Sequence, residues 1–247
     1  MLKNWTQIIL QKILGFQNYL FVFAAFTIYR IRNTKYDQEF LHFLSMVPDN
    51  GVIIDIGANI GITTIPLSKH LPNSQIAAIE PIPHNVRTLK KIIRFFGSHN
   101  VIVFPMAVGD HNGRINMITP VINHVKKQGL SHVVGAIPDE LATQQGEEFS
   151  VPVMRLDDIK ELQQLGHISA IKIDVEQFEY AVISGGLQLI NRFKPMIYCE
   201  LWDTPQRKIF LDFMEGIGYE VSVYEKGELV PYDQRPALNF FLLPKRV

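Results

Sequence analysis

Cysteine is nearly absent: the 247-residue chain has one, Cys199, so no internal disulfide can form and nothing demands an oxidising compartment. A membrane-spanning run is missing too. The apolar stretch Tyr19–Tyr29 has eleven residues, whereas a span requires roughly 20. It is followed by Arg30-Ile31-Arg32-Asn33 instead of a small-residue cleavage site, which argues against a secretion signal. There is no excess of either charge. With 24 basic and 24 acidic residues, the chain offers no global electrostatic reason to expect a nucleic-acid partner. Low-complexity segments and internal repeats are not evident. Hydrophobic residues at 47% and charged residues at 19% exclude a disordered or collagen-like chain, and the length suits one α/β domain.

The first 36 residues differ from the rest. They carry Lys3, Lys12, Arg30, Arg32 and Lys35 and no acid, around the aromatic-rich run. Two readings stay open for this N-terminal helical, basic-aromatic segment. Either one or two helices pack on the domain, over the cofactor side or a partner, or an amphipathic helix lies on a membrane surface with its basic flanks toward the headgroups. The expected location is cytoplasmic, with peripheral membrane contact as that second possibility.

Residues 37–247 alternate apolar runs with helical patterns, which predicts a mostly parallel sheet of βαβ units. Seven strands are expected, at 52–56, 76–79, 101–105, 170–174, 196–200, 219–224 and 238–243. Helices are expected over 62–70, 84–96, 157–165, 177–192 and 205–216. Asp157 is a candidate N-cap for the third, and Gly97, Gly166 and Gly218 stand where helices should stop. Cys199 lies in an expected buried strand and reads as packing. Residues 111–153 break the alternation. Two extra strands, 114–118 and 149–154, flank a polar excursion holding His124, Lys126, Lys127, Gly129, Ser131 and His132. Ligands of an open α/β sheet sit beyond the carboxyl ends of its strands, so this insert is the candidate substrate lid.

The chemistry concentrates first at Val52–Gly61 and Ile79-Glu80-Pro81. A β-branched run ends on Asp55, and Gly57, Ala58, Asn59 and Gly61 follow. A second strand then ends on Glu80, where an acid suits a ribose diol. The spacing D-x-G-x-N-x-G is not the dinucleotide pattern G-x-G-x-x-G, whose glycines seat a pyrophosphate at a helix N-terminus. No basic residue stands in the loop. A phosphate-free nucleoside with a cationic centre fits better, and S-adenosyl-L-methionine is such a molecule. On this reading Asp55 meets the cofactor's amino-acid head directly or through water. Gly57, Asn59 and Gly61 shape the loop, and Glu80 accepts the ribose hydroxyls.

These residues also carry a resemblance. DIGANIG at 55–61, IEP at 79–81 with Asn85 downstream, AVGD at 107–110, RLDD at 155–158 and IKIDVEQFE at 171–179 look like the FkbM family of S-adenosylmethionine-dependent methyltransferases. The likeness runs over about 37–243. It implies a Rossmann-like class I methyltransferase sheet with a final antiparallel strand, and O-methylation of a hydroxyl on a sugar, glycan or secondary metabolite. It also places Asp110, or the backbone from Ala107 to Gly109, beside the adenine. One departure is Gln177, where the family usually has glycine.

Asp174 ends the fourth expected strand, where the reacting methyl should lie; Glu176 and Glu179 follow at the start of a helix. An alcohol acceptor needs a base, and Asp174, Glu176, His124 and His132 are the candidates. His132, in the sequence Gln128–His132, is preferred. Glu179 reads as a helix-start acid favoured by the dipole, and Lys172 as a partner for one of the acids. Asp174, Glu200 and Asp203 could converge on Mg²⁺ or Ca²⁺, yet no dense ligand motif is present and no metal is assigned. Trp202 stacks on a sugar or packs. The alternative function is a membrane-associated, catalytically inactive protein that keeps the cofactor fold. A nucleic-acid methyltransferase is a third option, but the chain has no N-P-P-Y-like tetrapeptide of the kind used on base amino groups.

Overall fold

Three helices precede the first strand of this computed structural model, which describes residues 2–34, 37–123, 125–136, 145–164 and 166–245. They are α1 (Leu2–Leu14), α2 (Phe16–Asn33) and α3 (Gln38–Met46). Then come β1 (Val52–Ile56), α4 (Thr64–His70), β2 (Gln75–Ile79), α5 (Pro83–Phe96) and β3 (Val101–Phe104). An inserted group holds β4 (Ala107–Val108), β5 (Gly113–Ile122), β6 (Val125–Lys126), β7 (His132–Val133) and β8 (Gly146–Met154). The main sheet resumes with β9 (Ile168–Ile173), β10 (Met196–Glu200), β11 (Tyr219–Glu225), β12 (Glu228–Pro231) and β13 (Asn239–Pro244).

The main sheet has eight strands in the order β12-β11-β13-β10-β9-β1-β2-β3. From β10 to β3 every pairing is parallel, and β13 runs antiparallel to both its neighbours. β1 and β9 are buried at every position, as strands covered on both faces must be. Cys199 is fully buried among Ile171, Ile173 and Ile197, so the packing reading holds. All seven expected strands are present. The eighth, β12, is a short edge strand entered through a tight turn with Lys226 at φ 49° and Gly227 at φ 105°. Four residues ending in proline carry too little alternation to be seen in the sequence.

The expected helix 177–192 is two helices, Glu179–Ser184 and Leu187–Phe193. The break comes at Gly185-Gly186, where only glycine fits: a Cβ on Gly185 would sit 1.8 Å from the Gly109 carbonyl oxygen. Asp157 caps the second of these, not its own helix. Its carboxylate accepts the Gln188 N–H at 3.1 Å and the Leu189 N–H at 2.9 Å. The helix after Asp157 is only Lys160–Gln164, preceded by a 3-10 turn.

The described part of the insert carries more strand than a polar excursion suggests. β5 and β8 pair from Gly113↔Val153 to Pro120↔Gly146, longer than the two strands expected, while β6 and β7 fold back on β5. β4 pairs with β8 and ties this second sheet to the mouth of the first. The N-terminal helices pack on the domain: Leu20, Ala24 and Ile28 are buried with Ile60, Ile65 and Ile92. Gln17 Nε2 also donates to the His84 carbonyl at 3.0 Å. Among the described residues no helix is long and apolar enough to cross a membrane.

Candidate active site

β1 delivers the chain to a loop that only glycine can make. Gly57 has φ 75°, and a Cβ there would lie 1.9 Å from the Asp174 carbonyl oxygen. Strand tips β1 and β9 therefore approach as closely as backbones can. Asn59 also takes a left-handed conformation, φ 51°, which presents its N–H to Glu80 Oε2 at 2.9 Å. Glu80 Oε1 accepts from Ile82 N at 2.9 Å and Asn85 Nδ2 at 3.2 Å. Burial raises the Glu80 carboxyl to about 7, against the pull of those three hydrogen bonds and of Lys172.

Asp55 plays a different part from the one its position suggests. It is fully buried and accepts hydrogen bonds from Thr63 Oγ1 at 3.0 Å and Thr64 Oγ1 at 2.6 Å, with Lys172 Nζ at 3.5 Å. Strand alternation turns Asp55 toward the start of α4, while Ile56 and Gly57 meet the cavity. The carboxylate thus anchors the glycine loop and does not itself line the cavity.

Lys172 lies between the carboxylates, as the alternation implies. Its Nζ donates to the Gly57 carbonyl at 3.1 Å and to Asp174 Oδ2 at 3.4 Å. Burial alone would lower its pKa, but Asp174, Asp55 and Glu200 together outweigh this and the net direction is up. Glu176 is only 8% exposed and its Oε2 has no hydrogen-bond partner. Burial first, then Asp174, Glu200 and Glu179, push its carboxyl to about 9. Glu179, the first residue of its helix, accepts the Gln177 N–H at 3.1 Å, and burial raises its carboxyl to about 7. Burial and the neighbouring Asp174 also raise Glu200 to about 7. Asp203 points away: its side chain is 86% exposed and pairs with Arg207. Among the described residues no group of three or more His, Cys, Asp or Glu side chains is placed to hold a metal ion.

These tips enclose a cavity whose empty space, open mouth included, is about 590 Å³. Glu80, Pro81, Ala107, Asn59, Asp174 and Glu176 all line it. Among the described residues, three acids and no Lys, Arg or His are on its wall. Met117, Gln128, Gly129, Ser131 and Val133 close it from the insert, so the lid segment does reach the site. His132 does not line it. Between Ser131 and Val133 on β7 it turns the other way, buried, with Nδ1 2.8 Å from the Leu130 carbonyl. His124 lies outside the described residues. Asp110 is exposed and paired with His111 at 2.7 Å, off the wall, as are Ala58 and Gly61, which shape the loop behind it. Trp202 is half-buried away from the cavity. Asn85, Met106 and Phe178 also line the cavity, although periodicity assigned none of them a role. Asn85 does carry a signal, its place downstream of Ile79-Glu80-Pro81 in the family-like motif, though no role is attached to it there.

Gln177 adopts φ 70°, the left-handed backbone that glycine takes freely, and Glu176 before it has φ 53°. A side chain in that region costs about 1–2 kcal/mol, offset by the glycine entropy of the unfolded chain, about 0.4–1 kcal/mol. Gln177→Gly should therefore leave stability unchanged or raise it by up to about 1.6 kcal/mol in urea unfolding. A loss larger than that would show that the Gln177 side chain holds the loop.

Comparison with known proteins agrees with this geometry. A family model described as the methyltransferase FkbM domain matches residues 55–221. A protein named Methyltransferase 1 from Beauveria bassiana is 24% identical over 248 residues, covering 90% of this chain and 95% of its own. The 2-O-methyltransferase NoeI of Sinorhizobium fredii is 28% identical over 157 residues, 62% of this chain and 63% of its own. A crystal structure of methyltransferase FkbM from Methylobacillus flagellatus superposes with a TM-score of 0.54 at 16% identity. That match covers 80% of this chain and 45% of the other, and it shows a shared fold.

Proposed function

The chain belongs to the FkbM methyltransferase family, and from that premise we propose that it methylates a hydroxyl oxygen of a small sugar-like or secondary-metabolite acceptor. It is an S-adenosylmethionine-dependent methyltransferase. The cavity fits that cofactor by its own chemistry. Asn59 Oδ1, Asn85 Oδ1 and Glu176 Oε2 are buried there without partners. Among the described residues no Lys, Arg or His side chain lines the wall to hold a polyphosphate, and the carboxyl groups there offer acceptors for hydroxyl and ammonium groups. Glu80 would hold the ribose hydroxyls, and Met106 to Val108 the adenine.

The observation that carries the hydroxyl assignment is Asp174 on the wall at the tip of β9, held by Lys172 at 3.4 Å. When bound, S-adenosylmethionine supplies a methyl carbon activated by its sulfonium. An alcohol must lose its proton as it is methylated, and that proton needs a base within reach. The Asp174 carboxylate takes it. Glu176, held neutral at pH 7 by its raised pKa of about 9, donates a hydrogen bond that orients the acceptor. Lys172 keeps Asp174 in place and is itself buried away from the acceptor. The insert supplies the remaining wall and so selects the acceptor. The 2-O-methyltransferase relative supports oxygen as the target, and family membership favours an enzyme over the non-catalytic alternative.

Incubating the protein with methyl-labelled S-adenosylmethionine and cell extract, followed by mass spectrometry, tests this reading. The expected product carries the label as an ether, stable to mild acid and base. A labelled amine or ester, or no labelled product from any extract, would refute it.

A further inference from the structure

The outward side of α2 has the composition of an inward one. Val22, Phe26 and Tyr29 recur at one-turn spacing opposite the buried Leu20, Ala24 and Ile28, and are 50%, 59% and 64% exposed. The ring of Phe21 meets that of exposed Phe95 edge-on at 5.3 Å, joining α2 to the last turn of α5. On α5 the outward stripe is Arg87, Lys90, Lys91 and Arg94, all exposed, while Val86, Leu89 and Ile92 face the core. The two stripes meet. Lys91 Nζ lies 4.3 Å from the centre of the Phe21 ring, and the Arg30 guanidinium stands 6.0 Å from that of Phe26. Neither residues 1–36 nor residues 81–109 contain any Asp or Glu.

We propose that this α2–α5 face docks on the surface of an anionic lipid bilayer. The proposal goes beyond the catalytic reading and does not depend on it. Aromatic and β-branched side chains beside a cationic, acid-free stripe match a bilayer boundary in both its parts. Rings settle at the level where headgroups meet acyl chains, and cations meet the negative surface potential. A second copy of the same face would set cation against cation across a two-fold axis. A nucleic acid would satisfy the lysines and arginines and leave Val22 and Phe26 in water.

Flotation of the full chain with vesicles of phosphatidylcholine, alone or with one third phosphatidylglycerol, tests the proposal. The protein should rise with the anionic vesicles and stay behind with the neutral ones. Phe26→Ser with Phe95→Ser should abolish flotation, and Lys90→Ala with Lys91→Ala should weaken it by about tenfold or more. Calorimetric S-adenosylmethionine binding should be unchanged in both double variants, which shows that they fold and separates this test from the catalytic one. Three results would each overturn the proposal. They are no flotation with anionic vesicles, flotation indifferent to the two phenylalanines, and a shift from dimer to monomer in the aromatic variant.

Discussion

Asp174→Asn lowers turnover by about a hundredfold or more while S-adenosylmethionine affinity stays within a few-fold. The substitution keeps shape and leaves an amide oxygen for Lys172, whose Nζ lies 3.4 Å from Asp174 Oδ2. What it removes is the ability to take a proton. Because Asp174 lines the same cavity as Glu80 and Glu176, a lost proton acceptor acts at the site of transfer and not through the fold. Glu176→Gln is the matching control. Its carboxyl, raised to about 9, is already protonated at neutral pH, so an amide of the same shape should be mild there. Single-turnover rates with saturating donor separate the two. Full turnover in the Asp174 variant, with loss in the Glu176 variant, would move the base to Glu176.

The second large effect is on donor binding. Glu80→Gln should weaken S-adenosylmethionine affinity by about tenfold to a hundredfold, since a hydrogen bond to a charged group contributes about 1.5–3 kcal/mol. Glutamine is not conservative here. The Glu80 oxygens already accept three N–H groups, from Asn59, Ile82 and Asn85, and an amide nitrogen would face one of them donor to donor. The pH dependence follows from the raised carboxyl. Ribose hydroxyls prefer the ionised acceptor, so protonation competes with binding. Affinity should fall as pH drops below about 7 and level off above it. Stability of the free protein runs the other way. Glu80 titrates near 4.5 when unfolded and about 7 when folded, so between these values the folded state binds the extra proton. Its contribution to stability therefore declines as pH rises through that window. Calorimetry on either side of neutrality checks the binding limb, and affinity independent of pH would remove Glu80 from the ribose.

The single residues that sequence reasoning placed best were those whose role is local. Gly57 is needed because the chain turns there beside another backbone, and Glu80 ends a strand, which puts it at the crevice. The residues it misplaced share one feature, dependence on parity or on a distant partner. Asp55 and His132 sit in the expected segments but lie off the cavity wall, one turned toward α4 and one toward the Leu130 carbonyl. Asp157 caps a helix 31 and 32 residues further along. Gln177 keeps a glycine-like backbone without being glycine.

The order of strands and helices, the glycine loop and the acids at the tips of β2 and β9 were determined by the sequence itself. Alternation, β-branching and turn residues act between near neighbours and can be read there. Tertiary structure alone decided which side chains reach the cavity, how far burial lifts Glu80 and Glu176, and that two helix faces far apart in the chain form one basic, aromatic surface. Burial, desolvation and the meeting of surfaces are set by residues dozens of positions apart, and no local pattern encodes them.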